Sequence, residues 1–358
     1  MEEFEQLMSM VIKPAGSSPV YNCMLSIKDG TGSLDFSLAK GTDGEMGKTI
    51  SDGSCFRTGS IAKLFTATVI LQLIEEGLLR LEDAYFNLIT RDTINILSRL
   101  HFLGETDYSG KITIFHLLHH SSGLQDYFSD DGRFLTYVMQ HPSQSWGWEL
   151  VIEKYFEFEL NLKPSFVPGS GFHYSDTNYL LLAILIEQIT QKPLQQVYRE
   201  KIITPLGLND THLEFYELPG KAKPVVYPYY GVHSLENVNT SFDWGGGGLI
   251  STMHDLDIFI RNLNKGILFK KPESVQLMMR FQNTNSGTDN RGHSPEYGLG
   301  VQKRHFPGYS FVGHNSAYGS MLFYEPKKDI SIVLSLNQAA AVLKAEWLMK
   351  KIILGFQK

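Results

Sequence analysis

Strand-like segments at the two ends of the chain enclose a long middle in which helix-like segments dominate. Near the start, Val20 to Ile27 and Ser33 to Ala39 are rich in residues that favour strands, and the turn-forming run Lys28 to Gly32 separates them. This pattern predicts a hairpin. Three further strands are predicted near the end, at Tyr309 to Gly313, Ser320 to Tyr324 and Ile330 to Leu336. Strands at both ends imply one sheet to which both contribute.

Between these ends, from about Leu78 to Arg304, apolar residues recur every three or four positions, as they do in helices. The clearest predicted helices of the middle are Ile112 to His119, Leu150 to Phe156, Thr177 to Thr190, Leu194 to Ile203 and Met253 to Asn264. Two more are predicted nearer the ends, Glu2 to Ile12 and Ala339 to Leu354.

The predicted fold is therefore α+β, with an antiparallel sheet built from both chain ends, flanking helices and a large, mostly helical inserted region. Residues 1–77 and 305–358 would form the α/β domain, and residues 78–304 the inserted region. We expect the active site in the cleft between them, where ligand sites commonly form.

Composition excludes several classes of function. The 358 residues, 42% of them hydrophobic, suffice for a large core, and a net charge of −6 with dispersed Lys and Arg argues against nucleic-acid binding. No apolar run reaches the ~18 residues of a membrane span. The acidic start lacks a signal-peptide pattern, which predicts a cytoplasmic protein as written, or a periplasmic or secreted one if a signal has been removed.

Only two cysteines occur, Cys23 and Cys55. Two are too few for a disulfide framework or a zinc site of paired cysteines. Whether they form a single bridge stays open.

A serine and a lysine lie three residues apart where the first long helical pattern begins. Ser60 and Lys63 occur in the run Gly-Ser-Ile-Ala-Lys, and helical spacing continues until Gly77. Side chains at this spacing share one helix face, so the pair suits a nucleophile and its base. By itself, the pair is frequent by chance and is far more typical of a helix-capping serine followed by a surface lysine.

Two other polar segments stand out. Tyr174 and Asp176 come immediately before an apolar helical run, where the tyrosine could simply pack and the aspartate could cap the helix. The run His314-Asn315-Ser316-Ala317 follows a predicted strand, where it is either a polar turn or a backbone edge that binds an extended acyl group.

Taken together and in this order, the three segments resemble the serine β-lactamase and penicillin-binding protein superfamily, in the branch with class C β-lactamases, D-alanyl-D-alanine carboxypeptidases and related esterases. Further segments that resemble this family are Ile112 to Leu124, Tyr174 to Leu182, Pro205 to Leu208, Gly246 to Thr252 and Asp255 to Leu256.

The resemblance implies a serine hydrolase that needs no metal or cofactor and acts on a β-lactam, a D-amino-acid peptide or a carboxylic ester. Ser60 would be acylated, and Lys63 and Tyr174 would share the roles of general base and acid, which requires the pKa of Lys63 to fall. The N–H groups of Ser60 and Ala317 would form the oxyanion hole. The alternative is a non-catalytic or slowly deacylating penicillin- or peptide-binding protein of the same fold.

The implied substrate-binding residues are Asp176, His314, Asn315, Ser316 and Ala317, and the substrate would be a small molecule or short peptide. Two of them depart from the family pattern. Asp176 stands where the family often has Asn, and a carboxylate there would oppose a neutral Lys63 unless it is turned away or protonated. Ser316 stands where the family usually has Gly, and its side chain would narrow the groove.

Two other patterns carry no functional prediction. Gly44 to Thr49 lacks the spacing of a phosphate-binding loop, because position 42 is Thr. His116, His119 and His120 have helical spacing suited to metal, but their apolar neighbours favour a structural role.

Overall fold

The computed structural model describes residues 2–218, 223–281 and 296–356. Within them, the strands in chain order are β1 (Asn22–Asp29), β2 (Asp35–Gly41), β3 (Cys55–Arg57), β4 (Phe102–Leu103), β5 (Thr106–Asp107), β6 (His212–Leu213), β7 (Val225–Val226), β8 (Tyr229–Tyr230), β9 (His233–Ser234), β10 (Leu249–Ser251), β11 (Glu296–Tyr297), β12 (Gln302–Phe306), β13 (Tyr309–Asn315), β14 (Ser320–Glu325) and β15 (Ile330–Leu336).

The helices of the same residues are α1 (Glu2–Val11), α2 (Ala62–Glu75), α3 (Arg91–Leu97), α4 (Ile114–Leu118), α5 (Gly132–Gln140), α6 (Trp148–Glu157), α7 (Asp176–Thr190), α8 (Leu194–Tyr198), α9 (Thr204–Leu206), α10 (Trp244–Gly247), α11 (Met253–Asn264), α12 (Pro272–Met278) and α13 (Val342–Gly355). A 3-10 turn, Gly59–Ile61, leads directly into α2.

A seven-stranded antiparallel sheet joins the two ends of the chain, in the order β11-β12-β13-β14-β15-β1-β2. The joining pair is β1 with β15, in which Cys23 lies opposite Leu336 and Asp29 opposite Ile330. The predicted α+β fold with a sheet from both chain ends is confirmed. The C-terminal part of this sheet begins with β11 at Glu296, whereas the predicted terminal region begins at residue 305.

Side chains of the central strands alternate between the two faces of the sheet, and this divides the core into two layers. Cys23 and Leu25 of β1 belong to a cluster with residues of α1 and α13, whereas Met24 between them belongs to the larger cluster that includes Phe65 of α2 and Phe259 of α11. Side chains two apart on a strand share a face, so helices cover the sheet on both sides. The rings of Phe65 and Phe259 stack with centroids 3.8 Å apart.

A second, four-stranded sheet lies in the region between the chain ends, in the order β6-β10-β3-β7. The sequence did not indicate it, because strands of two or three residues show too little alternation to be recognised. Helices α3, α5 and α12 were also not predicted. Among the described helices, none combines the length and the apolar character that crossing a membrane requires.

Candidate active site

Ser60 lies in the 3-10 turn that connects β3 with α2. The backbone N–H of Thr58 donates to Leu249 O at 2.9 Å, which fixes the end of β3 against β10. Ser60 does not cap the helix. Its Oγ accepts a hydrogen bond from Lys63 Nζ at 3.2 Å, and the serine keeps partial exposure to solvent. The capping alternative for Ser60 is therefore wrong, and the serine is held next to an amine at the start of a helix.

Lys63 is completely buried and its amine contacts three oxygen atoms. Besides Ser60 Oγ, it donates to Gly246 O at 2.9 Å and forms an ion pair with Asp176. An ammonium group has three N–H donors, so this arrangement satisfies the charged form. Burial opposes the charge, but Asp176 and Tyr174 outweigh it and hold the pKa of Lys63 above its usual value. The predicted fall of the Lys63 pKa is wrong for this structure.

Asp176 is the first residue of α7, and the N-cap position belongs to Ser175. Its backbone N–H donates to Asp126 Oδ1 at 3.1 Å, and its carboxylate faces Lys63. The alternative in which Asp176 caps the helix is wrong, because the chain enters α7 one residue earlier. The carboxylate at this position is therefore turned towards the lysine and sets its charge.

Tyr174 brings a buried phenol to the same place. Its hydroxyl has no hydrogen-bond partner in the described part of the chain. The Lys63 amine lies 5.1 Å from the centre of its ring. Burial raises the pKa of Tyr174 to about 12, although the nearby Lys63 charge lowers it. In this arrangement the phenol keeps its proton and lies near both Lys63 and Ser60, which lower its pKa.

The end of β13 packs against the serine turn. A Cβ atom on Gly59 would lie 2.1 Å from Ser316 Oγ, and Gly59 has a φ of +54°, so glycine is needed there for both space and conformation. Ser320 Oγ also donates to Thr58 O at 2.9 Å. These contacts bring Ala317, the predicted second oxyanion residue, to the side of the turn that carries Ser60.

Ser316 does not narrow the groove as its departure from the family pattern suggested. The residue is fully buried, and its Oγ accepts a hydrogen bond from Tyr318 N at 3.1 Å. The missing Cβ of Gly59 leaves the space that the serine side chain fills. The side chain is thus part of the packing between turn and strand.

His314 is also fully buried and takes part in a chain of hydrogen bonds. Its Nε2 lies 3.0 Å from Tyr297 Oη, and that hydroxyl lies 3.2 Å from His120 Nε2. His120 Nδ1 accepts from Ser175 N at 3.1 Å. Because Nδ1 of His120 accepts, its proton sits on Nε2, and the tyrosine can accept from His120 and donate to His314.

This chain connects β13 with the segment that carries Tyr174 and Asp176. His314 was predicted to contact substrate, but both of its ring nitrogens lie against protein atoms, Nδ1 against Asn315 O. Asn315, another predicted substrate residue, is buried and accepts from Gln302 Nε2 at 2.9 Å. Both side chains are thus engaged by other protein atoms in this structure.

The three histidines of α4 and its end have separate environments. His116 completes a capping box with Thr113, and His119 stacks on Phe115 with ring centroids 5.2 Å apart. His120 has a φ of +58° and stacks beneath Tyr174 at 4.3 Å. The structural role predicted for His120 holds, but it lies directly behind the candidate site. The sequence could not predict this position, because the hydrogen-bond partner of His120, Tyr297, is distant along the chain.

Two acidic residues that the sequence did not single out surround Asp176. Burial raises the pKa of Asp126 to about 7, and the same cause raises the pKa of Asp243 to about 7. Tyr318, next to Ala317, donates to the Asp243 carboxylate. Neither aspartate forms part of a recognisable sequence motif, so only their burial marks them.

The cysteines do not pair. Cys23 in β1 and Cys55 in β3 are both free and buried. Burial raises the pKa of Cys55 to about 11, which makes its thiolate scarce at neutral pH. Within residues 2–218, 223–281 and 296–356, no three or more His, Cys, Asp or Glu side chains group in a way that would hold a metal ion.

Comparison with known families agrees with this geometry. The profile of the family described as Beta-lactamase matches residues 30–349, which is most of the chain. The chain belongs to the Beta-lactamase family. This confirms the resemblance drawn from the Ser60, Tyr174 and His314 segments.

Two characterised relatives of the family match parts of the chain. A penicillin-binding protein of Bacillus subtilis (strain 168) is 31% identical over 191 residues, which are 52% of this chain and 37% of that protein. An esterase of Burkholderia gladioli is 31% identical over 186 residues, 50% of this chain and 44% of the esterase. The chain thus matches less than half the length of these relatives.

Two solved structures share the fold over nearly the full chain. A D-stereospecific amidohydrolase from a Streptomyces species superimposes with a TM-score of 0.76 at 24% identity, covering 95% of this chain and 96% of the other. A D-amino acid amidase from Ochrobactrum anthropi gives 0.77 at 18% identity, covering 99% of both.

Proposed function

We propose that this protein is a serine hydrolase that cleaves an amide or ester through an acyl-enzyme on Ser60. The observation that carries the proposal is the contact between Ser60 Oγ and the buried amine of Lys63, 3.2 Å apart. A partly exposed hydroxyl beside a buried amine is the arrangement of an activated nucleophile.

The charge of Lys63 determines how the proton leaves Ser60. As an ammonium, Lys63 cannot accept that proton until it gives one away. Its ion-pair partner Asp176 is the acceptor in direct contact. In the proposed step, Ser60 Oγ bonds to the substrate carbonyl carbon, its proton moves to Lys63, and Lys63 passes one of its own protons to Asp176.

The later steps use groups on the same side of the serine. The carbonyl oxygen gains negative charge, and the N–H groups of Ser60 and Ala317 would stabilise it, by about 3 kcal/mol each. Tyr174 would donate its phenolic proton to the leaving nitrogen or oxygen as that bond breaks. The proton on Asp176 then returns through Lys63 to Tyr174, and water releases the acyl group.

The names of the relatives indicate the range of substrates. Besides the penicillin-binding protein and the esterase, a putative D-alanyl-D-alanine carboxypeptidase of Escherichia coli O157:H7 is 28% identical over 60% of the chain. β-Lactams, D-amino-acid peptides and carboxylic esters all present a carbonyl that Ser60 could attack. A panel of nitrocefin, D-alanyl peptides and nitrophenyl esters would rank them.

Replacement of Ser60 by Ala tests the proposal. We expect Ser60→Ala to lose turnover and labelling by a fluorophosphonate, because the substitution removes the serine hydroxyl that is hydrogen-bonded to Lys63. Ser9→Ala is the matched control, since Ser9 is exposed on α1. Full activity of Ser60→Ala would refute the proposal.

Wild type and Ser60→Ala also distinguish hydrolysis from the alternative of a binding protein. Intact-mass spectrometry after addition of penicillin or an ester should show an adduct that forms and then disappears as product accumulates. A stable adduct without turnover would contradict hydrolysis and indicate a slowly deacylating binding protein.

A further inference from the structure

A large apolar cavity opens beside the end of β13. Its volume is about 440 Å³, which is within the range of pockets that bind small molecules. The aromatic wall contains Phe128 and Phe242, whose rings stack with centroids 5.9 Å apart. Helix α5 contributes the opposite wall through Leu135, Val138 and Met139.

The cavity borders the turn that carries Ser60, because Tyr318 Cδ2 would lie 2.9 Å from a Cβ atom on Gly59. Ala317, whose N–H is a proposed oxyanion donor, is one of its lining residues, and so is Tyr318. The hydroxyl of Tyr318 is engaged by Asp243. A substrate carbonyl held at Ala317 would therefore have the cavity next to it.

The lining carries no formal charge. None of the described residues that line the cavity is Asp, Glu, Lys, Arg or His; the polar ones are Ser18, Tyr230, Thr240 and Tyr318. The Arg57 guanidinium, which bonds to the backbone of two lining residues, already has an ion-pair partner. Arg57 pairs with Glu214 and donates to Leu235 O and Val238 O, at 2.7 and 3.1 Å. A carboxylate placed in the cavity would lose its hydration without gaining a partner.

We propose that this cavity binds an uncharged apolar group of the substrate, an aromatic ring or an aliphatic chain of about six carbons, next to the bond that Ser60 cleaves. The inference rests on the proposed hydrolase activity and specifies its substrate class. It favours acyl or amino-acid substrates with bulky apolar side chains over substrates whose adjoining group carries a free carboxylate.

A series of nitrophenyl esters measures this preference. We expect kcat/KM to rise about tenfold or more from the acetate to the hexanoate, because each buried methylene adds to binding. The mono-nitrophenyl ester of adipic acid has the same chain length with a terminal carboxylate. We expect it to react at least about tenfold more slowly than the hexanoate.

Substitutions in α5 connect the preference to the cavity. Leu135 and Met139 are half-buried and one helical turn apart, so larger side chains can enter the cavity from its edge. Leu135→Trp should remove most of the advantage of the hexanoate, measured as the ratio of its kcat/KM to that of the acetate. Met139→Arg should favour the adipate ester relative to the hexanoate. Ile267→Trp, at an exposed position away from the cavity, is the matched control.

The outcomes distinguish this inference from the proposed function. If the wild-type protein showed no Ser60-dependent ester hydrolysis, the proposed hydrolase activity would be contradicted. Ser60-dependent hydrolysis with equal rates for acetate, hexanoate and adipate esters would overturn only the cavity assignment. The same holds if Leu135→Trp, folded by circular dichroism, keeps the wild-type ratio of hexanoate to acetate.

Discussion

At the scale of single residues, the charge of one lysine dominates the candidate site. A buried amine without a partner would lose its proton, but Asp176 reverses that tendency and keeps Lys63 charged. An asparagine at this position could not do so. The side chain of residue 176 therefore decides how Ser60 is activated, and not only what the site can bind.

Asp176→Asn tests the proposed proton acceptor. An amide cannot accept the proton from Lys63, so we expect kcat/KM at pH 7 to fall about 100-fold. The remaining activity should rise with pH, because Lys63 must then lose its proton to solvent. Asp176→Glu, which keeps a carboxylate, should recover part of the loss. An activity of Asp176→Asn equal to or above wild type would contradict the proton route.

Tyr297→Phe tests the hydrogen-bonded chain behind Tyr174. The substitution leaves His120 Nε2 and His314 Nε2 without the tyrosine hydroxyl in a buried environment. We expect the free energy of unfolding in urea to fall by about 1–3 kcal/mol. If the chain positions Tyr174, kcat should fall more than KM changes. An unchanged kcat in a destabilised protein would limit Tyr297 to a structural role.

At the scale of elements, the 3-10 turn packs against the connection between β13 and β14 and the first residue of β14. Ser316 fills the space next to Gly59, and Ser320 bonds to Thr58 O. A turn and a strand that are more than 250 residues apart in sequence are therefore fitted to each other at the atoms that flank Ser60.

The fit predicts a coupled pair of substitutions. Gly59→Ala should lower stability by about 2–4 kcal/mol, through the contact with Ser316 Oγ and the left-handed φ of residue 59. Ser316→Gly should recover only the part that comes from the contact. Thermal unfolding of both single variants and the double variant measures the coupling. Strict additivity would contradict the described packing.

Long elements with clear periodicity were well predicted at this scale. The prediction for α11 agrees at both ends, and so does that for β15, because each has an uninterrupted amphipathic or apolar pattern. The hairpin strands β1 and β2 lie two residues later than predicted. Helix α5, which lines the apolar cavity, was not predicted.

At the scale of the whole molecule, buried carboxyl groups make stability depend on pH. Asp243 has a pKa of about 7 in the folded protein because of burial, against about 4 in an unfolded chain. Between these values the folded state holds a proton that the unfolded state has lost. Stability from this group is therefore lost as the pH rises towards 7.

Asp243→Asn removes this titration. Relative to wild type, we expect the variant to gain about 2.5 kcal/mol in unfolding free energy on going from pH 5 to pH 8. Urea unfolding of both proteins at the two pH values gives the difference. If the unfolding free energies of wild type and Asp243→Asn differed by the same amount at pH 5 and pH 8, Asp243 would not titrate in this range.

The sequence by itself determined the class of fold, the family and the residues Ser60, Lys63 and Tyr174 as candidates. Periodicity and short motifs are local properties, so they can be read without knowing which segments meet. The charge of Lys63, the burial of His314 and Ser316, and the cavity beside Ala317 were decided only by tertiary structure. Each depends on residues distant in the chain, and burial and charge pairing arise only when those residues are brought together.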